Sequence, residues 1–99
     1  MRVIARSTLK KFYETPNCGD SKEALEVWYH EANKASWNSW ADIKEQYRNA
    51  SILKNNRVAF NICGNKYRLV VKVNYEAQVA YIRFVGTHKE YDKINAEEI

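Results

Sequence analysis

Two alternating segments joined by a two-residue turn constrain the fold of this chain more than any other feature. In residues 57–62 and again in residues 66–75, apolar side chains recur at every second position, the period of a β-strand with one buried face. A Gly-Asn pair lies between them at residues 64–65 and is typical of a tight hairpin turn. The turn predicts a register that sets Ile62 opposite Tyr67, so that the apolar side chains of both strands lie on one side of the sheet.

A third strand is predicted after a short loop. Residues 79–87 also alternate between apolar and polar side chains. The apolar positions of this strand are Ala80, Ile82 and Phe84. An odd number of loop residues would turn Arg83 into the core, where a charge without a partner is strongly destabilising. We therefore predict an even loop of two or four residues, with Phe84 opposite Leu69 inside the core.

The first half of the chain has the periodicity of helices. A short strand is predicted over residues 3–5, helices over about 7–14, 21–34 and 40–47, and a terminal turn or short helix over 88–94. Asp20 and Ser21 are candidate N-caps of the second helix. Trp37, Trp40 and Ile43 are expected in the core beneath the sheet. Because one sheet face is apolar, the helices must pack there. The predicted fold is α+β, with an N-terminal strand and two to three helices on one face of an antiparallel β-meander.

Length and composition exclude several classes of protein. A chain of 99 residues is the size of one domain, and we expect a single domain spanning residues 1–99. No apolar run approaches the roughly 18 residues that a membrane-spanning helix needs. The charged N-terminus lacks the apolar stretch of a signal peptide, so we expect the protein in the cytoplasm. Cys18 and Cys63 have no metal-ligand spacing, so both are expected to be free thiols and no metal site is predicted.

Basic residues are concentrated in the second half of the chain. Residues 47–89 contain eight lysines and arginines and a single acidic residue, Glu76. Such asymmetry indicates a surface that meets a polyanion, although an ordinary solvated basic face would have the same composition.

The predicted register collects polar side chains on the sheet face that the helices leave free. The side chains of this face are Arg57, Asn61, Arg68, Lys72, Tyr81 and Arg83. His88 and Tyr91 follow just beyond the last strand, near Lys66. Arginines can clamp phosphate oxygens, a tyrosine can stack on a base, and a histidine can transfer protons near neutral pH. Each residue could also be an ordinary surface or packing residue, and the functional interpretation rests on their sharing one face.

Two stretches of the chain resemble a known family. Residues 61–71, NICGNKYRLVV, resemble the central hairpin of the HigB toxins, a branch of the RelE-like ribonuclease superfamily. Residues 81–92, YIRFVGTHKEYD, are similar to their C-terminal signature. The order of predicted elements also fits a RelE-like fold.

The resemblance implies an mRNA interferase, the toxin of a type II toxin–antitoxin pair. Such toxins enter the ribosomal A site and cut translated mRNA. The ribose 2′-hydroxyl attacks the adjacent phosphate, and neither a metal nor another cofactor takes part. The implied partner is a helix-turn-helix antitoxin similar to HigA, and the complex would bind its own operator DNA.

The resemblance also implies roles for particular residues. Arg68 matches the arginine that RelE-like toxins use on the scissile phosphate. His88 falls where RelE has a second arginine, and Tyr91 lies near a C-terminal tyrosine that orients or activates the nucleophile. RelE has two lysines on the strand that matches residues 57–62, where this chain has Ala59 and Asn61. The expected catalytic residues are Arg68, Arg83, His88 and Tyr91. The expected RNA-binding residues are Arg57, Asn61, Lys66, Lys72 and Tyr81.

Two other functions remain compatible with the same residues. A non-catalytic RNA-binding module would use the same basic sheet face without cutting RNA. A protein-interaction domain would use that face for an acidic partner helix. The nuclease hypothesis depends on one geometric expectation, that Arg68 and His88 point out from the uncovered side of the meander and lie close together.

Overall fold

The chain folds into helices packed against a five-stranded sheet. A computed structural model describes all of residues 1–99. Its elements in chain order are β1 (Arg2–Ile4), α1 (Arg6–Tyr13), α2 (Lys22–Lys34), α3 (Trp40–Gln46), β2 (Ser51–Ile52), β3 (Arg57–Ile62), β4 (Tyr67–Asn74), β5 (Val79–Thr87) and α4 (His88–Tyr91). This arrangement confirms the predicted α+β fold of the RelE-like type.

The sheet has the order β1-β5-β4-β3-β2. Strands β3, β4 and β5 form the predicted antiparallel meander, and β2 adds an antiparallel edge. Strand β1 pairs with β5 in parallel, which makes the sheet mixed. The sequence did not indicate this parallel pairing, and β2 was missed because two residues are too few to show a period.

The predicted register of the central hairpin is confirmed along its whole length. Ile62 lies opposite Tyr67, and Arg57 lies opposite Lys72 at the far end. The apolar side chains of both strands therefore face the helices, as expected.

The predicted register between β4 and β5 is confirmed only in part. The loop has four residues, 75–78, and sets Ile82 opposite Val71 as expected. A β-bulge then inserts Arg83, so that Phe84 lies opposite Val70 and not Leu69. The prediction that Phe84 lies under the helices is therefore wrong. Its ring packs on the sheet face opposite helices α1–α3, and Val85 takes the place on the side of those helices.

The main hydrophobic core lies between the helices and the sheet. Trp37 and Ile43 are buried there as predicted. Trp40 is 56% exposed, so its predicted place in the core is wrong. Trp40 is the first residue of α3. Trp37, three residues before it, and Ile43, three residues after it, fill the core instead.

A second, smaller cluster covers part of the opposite sheet face. Ala59 and Val70 are buried there beneath Ala96 from the segment that follows α4. The partly buried residues around them are Leu53, Phe84, Tyr91, Ile94 and Ile99. The expectation that the side of the sheet away from the helices is uncovered is therefore wrong, because α4 and residues 92–99 fold back over it.

None of the four helices combines the length and the apolar character that crossing a bilayer requires.

Candidate active site

Arg68 lies near the start of the middle strand β4, on the sheet face opposite helices α1–α3, and is largely buried. It is the second residue of β4, pairs with Asn61 on β3, and has 7% of its surface exposed. One terminal nitrogen donates to Oδ1 of Asn61 and the other to Oγ of Ser51 at 3.2 Å. Its buried Nε–H has no acceptor. Asn61 on β3 and Ser51 on β2 therefore hold the guanidinium group in a fixed orientation, and its Nε–H remains an unused donor.

The ring of Tyr91 covers the same guanidinium group. The Cζ atom of Arg68 lies 4.6 Å from the centre of this ring, a cation–π contact. Tyr91 belongs to α4 and also contacts the ring of Phe84, at 6.5 Å between centres. The bulge in β5 that turns Phe84 to this face thus provides part of the support for Tyr91.

No carboxylate balances the charge of Arg68. The carboxylates of Asp20 and Asp92 lie against Lys66 and His88, and the partners of Arg68 are an amide, a hydroxyl and an aromatic ring. A buried charge is costly unless it is paired, and an unpaired one favours an anion as a ligand. The site is therefore suited electrostatically to a phosphate.

Strand β5 and a capping box place His88 beside this cluster. The hydroxyl of Thr87 accepts a hydrogen bond from the backbone N–H of Glu90, and the backbone N–H of Thr87 donates to the Glu90 carboxylate. This capping box fixes the residue at which α4 begins. The backbone N–H of His88 donates to the carbonyl of Lys66 at 3.2 Å. The imidazole lies 6.1 Å from the ring of Tyr91, between centres. Arg68, Tyr91 and His88 thus form one continuous cluster.

The imidazole of His88 has a carboxylate on one side. Its Nδ1 lies 3.4 Å from Oδ2 of Asp92, and 42% of its side chain is exposed. Asp92 therefore flanks Nδ1, and Nε2 is the ring nitrogen that faces away from this carboxylate. The sequence analysis did not assign Asp92 a role, although its i,i+4 spacing from His88 was a visible signal.

Three of the five expected RNA-binding residues form a second row on the same face. Arg57, Lys72 and Tyr81 lie side by side on β3, β4 and β5. Arg57 and Lys72 are each four residues along their strands from Asn61 and Arg68, a distance of roughly 13 Å. On β5 the bulge makes Tyr81 five residues away from Gly86, which pairs with Arg68. The guanidinium of Arg57 donates to the carbonyl of Ile99, at 2.5 Å for the shorter bond, so residues 92–99 occupy part of this row.

The side chains of Lys66 and Arg83 form no hydrogen bond or ion pair with the Arg68 cluster. The Nζ atom of Lys66 forms an ion pair with Asp20, which belongs to the turn before α2. This contact is the largest cause of the raised pKa of Lys66, and it directs the side chain towards the helical layer. Arg83 is the exposed bulge residue of β5.

The structure also identifies residues that the sequence analysis overlooked. Ser51 holds Arg68 from β2, a strand too short to predict. Asp20 was predicted as an N-cap, and instead its carboxylate binds Lys66 and the hydroxyl of Tyr67. Both contacts join residues that are distant in the chain, and nothing in local periodicity indicates them.

No group of three or more His, Cys, Asp or Glu side chains is placed to hold a metal ion.

The fold and this cluster define a small α+β protein with a basic, partly covered sheet face. Residues 21–94 match the sequence model of the HigB toxin family, described as the RelE-like toxic component of a toxin–antitoxin system. The chain therefore belongs to the HigB toxin family, which confirms the resemblance seen in the sequence.

Several curated relatives are similar over a shorter stretch. A segment of 37 residues is 54% identical to the mRNA interferase toxin HigB of Escherichia coli strain K12. The mRNA interferases HigB of Escherichia coli O157:H7 and Shigella flexneri match to the same extent. The segment covers 37% of this chain and 36% of each relative, so the matched region spans about a third of their length.

Proposed function

We propose that the chain is an mRNA interferase, an endoribonuclease that cuts mRNA in the ribosomal A site. In the proposed reaction the ribose 2′-hydroxyl attacks the adjacent phosphate without a metal ion, leaving a 2′,3′-cyclic phosphate and a 5′-hydroxyl. The observation that carries this proposal is the buried guanidinium of Arg68, whose partners are all uncharged. Membership of the HigB toxin family and the names of the curated relatives support the same conclusion.

Arg68 is the proposed ligand of the scissile phosphate. In-line attack builds negative charge on the non-bridging oxygens, and a fixed donor at that place accelerates the reaction by roughly 10²–10³. The free Nε–H supplies such a donor, and the two terminal nitrogens are already oriented by Asn61 and Ser51. Arg83 is the proposed second cation, reaching the phosphate from the exposed bulge of β5.

His88 is the proposed proton-transfer group, a role worth roughly 10²–10⁴ in rate. Asp92 lies at Nδ1, which leaves Nε2 to exchange a proton with the 2′-hydroxyl or with the leaving oxygen. Tyr91 is proposed to orient the 2′-hydroxyl or to stack on a base. Its ring already lies between the imidazole and the guanidinium.

The phosphate must displace the ring of Tyr91 to reach Arg68. We propose that RNA enters along the row of Arg57, Lys72 and Tyr81, where phosphates replace the carbonyl of Ile99 on Arg57. Asn61 keeps Arg68 in place, and Lys66 lies at the rim on the side of the helices. Binding through these cations would weaken as salt rises.

We propose that the toxin acts as a single domain in the cytoplasm. Its proposed partner is a helix-turn-helix antitoxin similar to HigA, and the complex would reach operator DNA through the antitoxin.

Mapping of mRNA 5′ ends after induction in growing cells tests this function. The wild type is expected to produce discrete breaks within translated mRNA, and Arg68→Ala and His88→Gln are expected to remove them. Arg2→Ala, which alters an exposed arginine on the edge strand β1, is the matched control and should cut like the wild type. Tight RNA binding with intact mRNA would identify a non-catalytic RNA-binding module. Full activity of both site variants would refute the proposed site.

A further inference from the structure

Asp20 lies in the helical layer and contacts two consecutive residues, the last residue of the hairpin turn and the first residue of β4. One carboxylate oxygen pairs with Nζ of Lys66, and the other accepts the hydroxyl of Tyr67 at 2.5 Å. Tyr67 is 1% exposed, so the second contact reaches a buried side chain. The next residue in the chain is Arg68. A single carboxylate thus ties the helical layer to the strand that carries the phosphate ligand.

The same two residues also hold the start of α4. The carbonyl of Lys66 accepts the backbone N–H of His88, and Tyr67 pairs with Thr87, the N-cap of α4. Any shift at this end of β4 therefore moves His88 as well as Arg68.

The turn that carries Asp20 is itself fixed. The hydroxyl of Ser21 donates to the carbonyl of Cys18 at 2.6 Å, and the thiol of Cys63 donates to the carbonyl of Asp20 at 3.3 Å. The hydrogen bond from Lys66, and then that from Tyr67, lowers the pKa of Asp20, so its carboxylate stays ionised near neutral pH. Asp20 is therefore a rigid, charged anchor.

We propose that Asp20 is a positioning residue for the proposed RNA cleavage: it fixes the end of β4 so that His88 and Arg68 keep their mutual geometry. This inference rests on the proposed function and deepens it. Asp20 touches none of the reacting groups and acts through Lys66 and Tyr67. The ion pair is half exposed, with 57% and 49% of the two side chains accessible, so its contribution to stability is small. A misplacement of about 1 Å can nevertheless lower a rate as much as 10²-fold.

Asp20→Asn separates this proposal from an alternative role for Lys66. If Asp20 merely withholds Lys66 from RNA, neutralising it frees a cation, and RNA binding tightens. If Asp20 positions the site, kcat falls by roughly tenfold while KM stays unchanged. Multiple-turnover cleavage of ribosomes programmed with a defined mRNA measures both quantities. Glu23→Gln, an exposed acidic residue in the first turn of α2, is the matched control and should cleave like the wild type. A lower KM or an unchanged kcat for Asp20→Asn overturns the proposal.

A double-mutant cycle with His88 distinguishes positioning from general loosening of the fold. The effect of Asp20→Ala on the cleavage rate is measured in the wild-type background and in the His88→Gln background. Circular dichroism at the assay temperature first establishes that the variants are folded. If Asp20 acts through the placement of His88, Asp20→Ala lowers the cleavage rate roughly tenfold in the wild-type background and changes it little in the His88→Gln background. Equal losses in the two backgrounds overturn the inference and leave the proposed function intact. Wild-type cleavage by His88→Gln alone would instead refute the role of His88 in the proposed function.

Discussion

Arg68 and Lys66 show how differently two basic residues of one hairpin are used. Both belong to the basic half of the chain, and composition alone treats them alike. Lys66 has an acidic partner and stays largely in solvent, whereas Arg68 is buried among neutral groups. Removal of a charge from water is unfavourable without a counter-charge. The folded protein therefore keeps Arg68 at a cost in stability, which points to selection for function.

Replacement of Arg68 by a volume-matched apolar residue should leave the fold at least as stable. For Arg68→Met we expect a free energy of unfolding equal to the wild type within about 1 kcal/mol, or higher, because buried charges replaced by apolar side chains are often neutral or stabilising. Urea unfolding at neutral pH measures this. Arg83→Met, at the exposed bulge, provides the comparison. A loss of more than about 2 kcal/mol for Arg68→Met would mean that Arg68 is a structural residue.

Helix α4 is a short element that depends on its N-cap. Four residues form few internal hydrogen bonds, so the capping box between Thr87 and Glu90 largely fixes its start. We expect Thr87→Ala to lower the free energy of unfolding by about 1 kcal/mol and to reduce mRNA cleavage, because His88 and Tyr91 lose their fixed orientation. Thr87→Ser keeps the hydroxyl and should preserve both properties. Unfolding curves and cleavage rates measured together check this, and wild-type cleavage by Thr87→Ala would show that the cap does not matter for the site.

The contact between the turn before α2 and β4 should depend on pH. The pKa of Asp20 is lowered in the folded protein, first by the hydrogen bond from Lys66. A lowered pKa stabilises the fold above the unfolded value of about 3.9, and this contribution disappears as the pH falls through the folded value. The stability difference between the wild type and Asp20→Asn should therefore be positive at neutral pH and vanish in acid. Urea midpoints measured from pH 7 to pH 2 test it, and a difference that does not change with pH would contradict it.

The sequence predicted the elements better than their details. The turn at residues 64–65 and the penalty for burying Arg83 were enough to set the hairpin register and the even loop. The bulge in β5 escaped prediction because Phe84 and Val85 are both apolar, so polarity does not decide which of them faces the helices. On the other face Phe84 packs in a cluster with Tyr91, Ile94 and Ile99, and local periodicity does not indicate these contacts.

At the scale of the whole molecule, the two sheet faces have different tasks. One face packs against the helices and forms the core. The other face carries the candidate site under a cover made of α4 and residues 92–99. The sequence predicted that Arg57, Asn61, Arg68, Lys72 and Tyr81 share this second face, but it placed Phe84 on the other one. It did not predict the cover, because Ala96 and Ile99 lie in a segment without helical or strand period.

Removal of the cover should make the site more accessible at the expense of stability. A chain that ends at Ile94 loses the buried Ala96 and the bond between Ile99 and Arg57. We expect a lower KM for mRNA and a free energy of unfolding reduced by about 1–2 kcal/mol from lost apolar burial. Cleavage kinetics and urea unfolding of the shortened and full-length chains test this. A shortened protein that stays folded but no longer cleaves would show that the segment is part of the site and not a cover.

The single-turnover rate of mRNA cleavage by Arg68→Met tests the central claim most directly. The substrate is a defined mRNA on programmed ribosomes, and the wild type provides the reference rate. If the buried guanidinium stabilises the charge on the scissile phosphate, Arg68→Met cleaves roughly 10²–10³-fold more slowly while remaining fully folded. Cleavage by folded Arg68→Met at the wild-type rate would contradict the account.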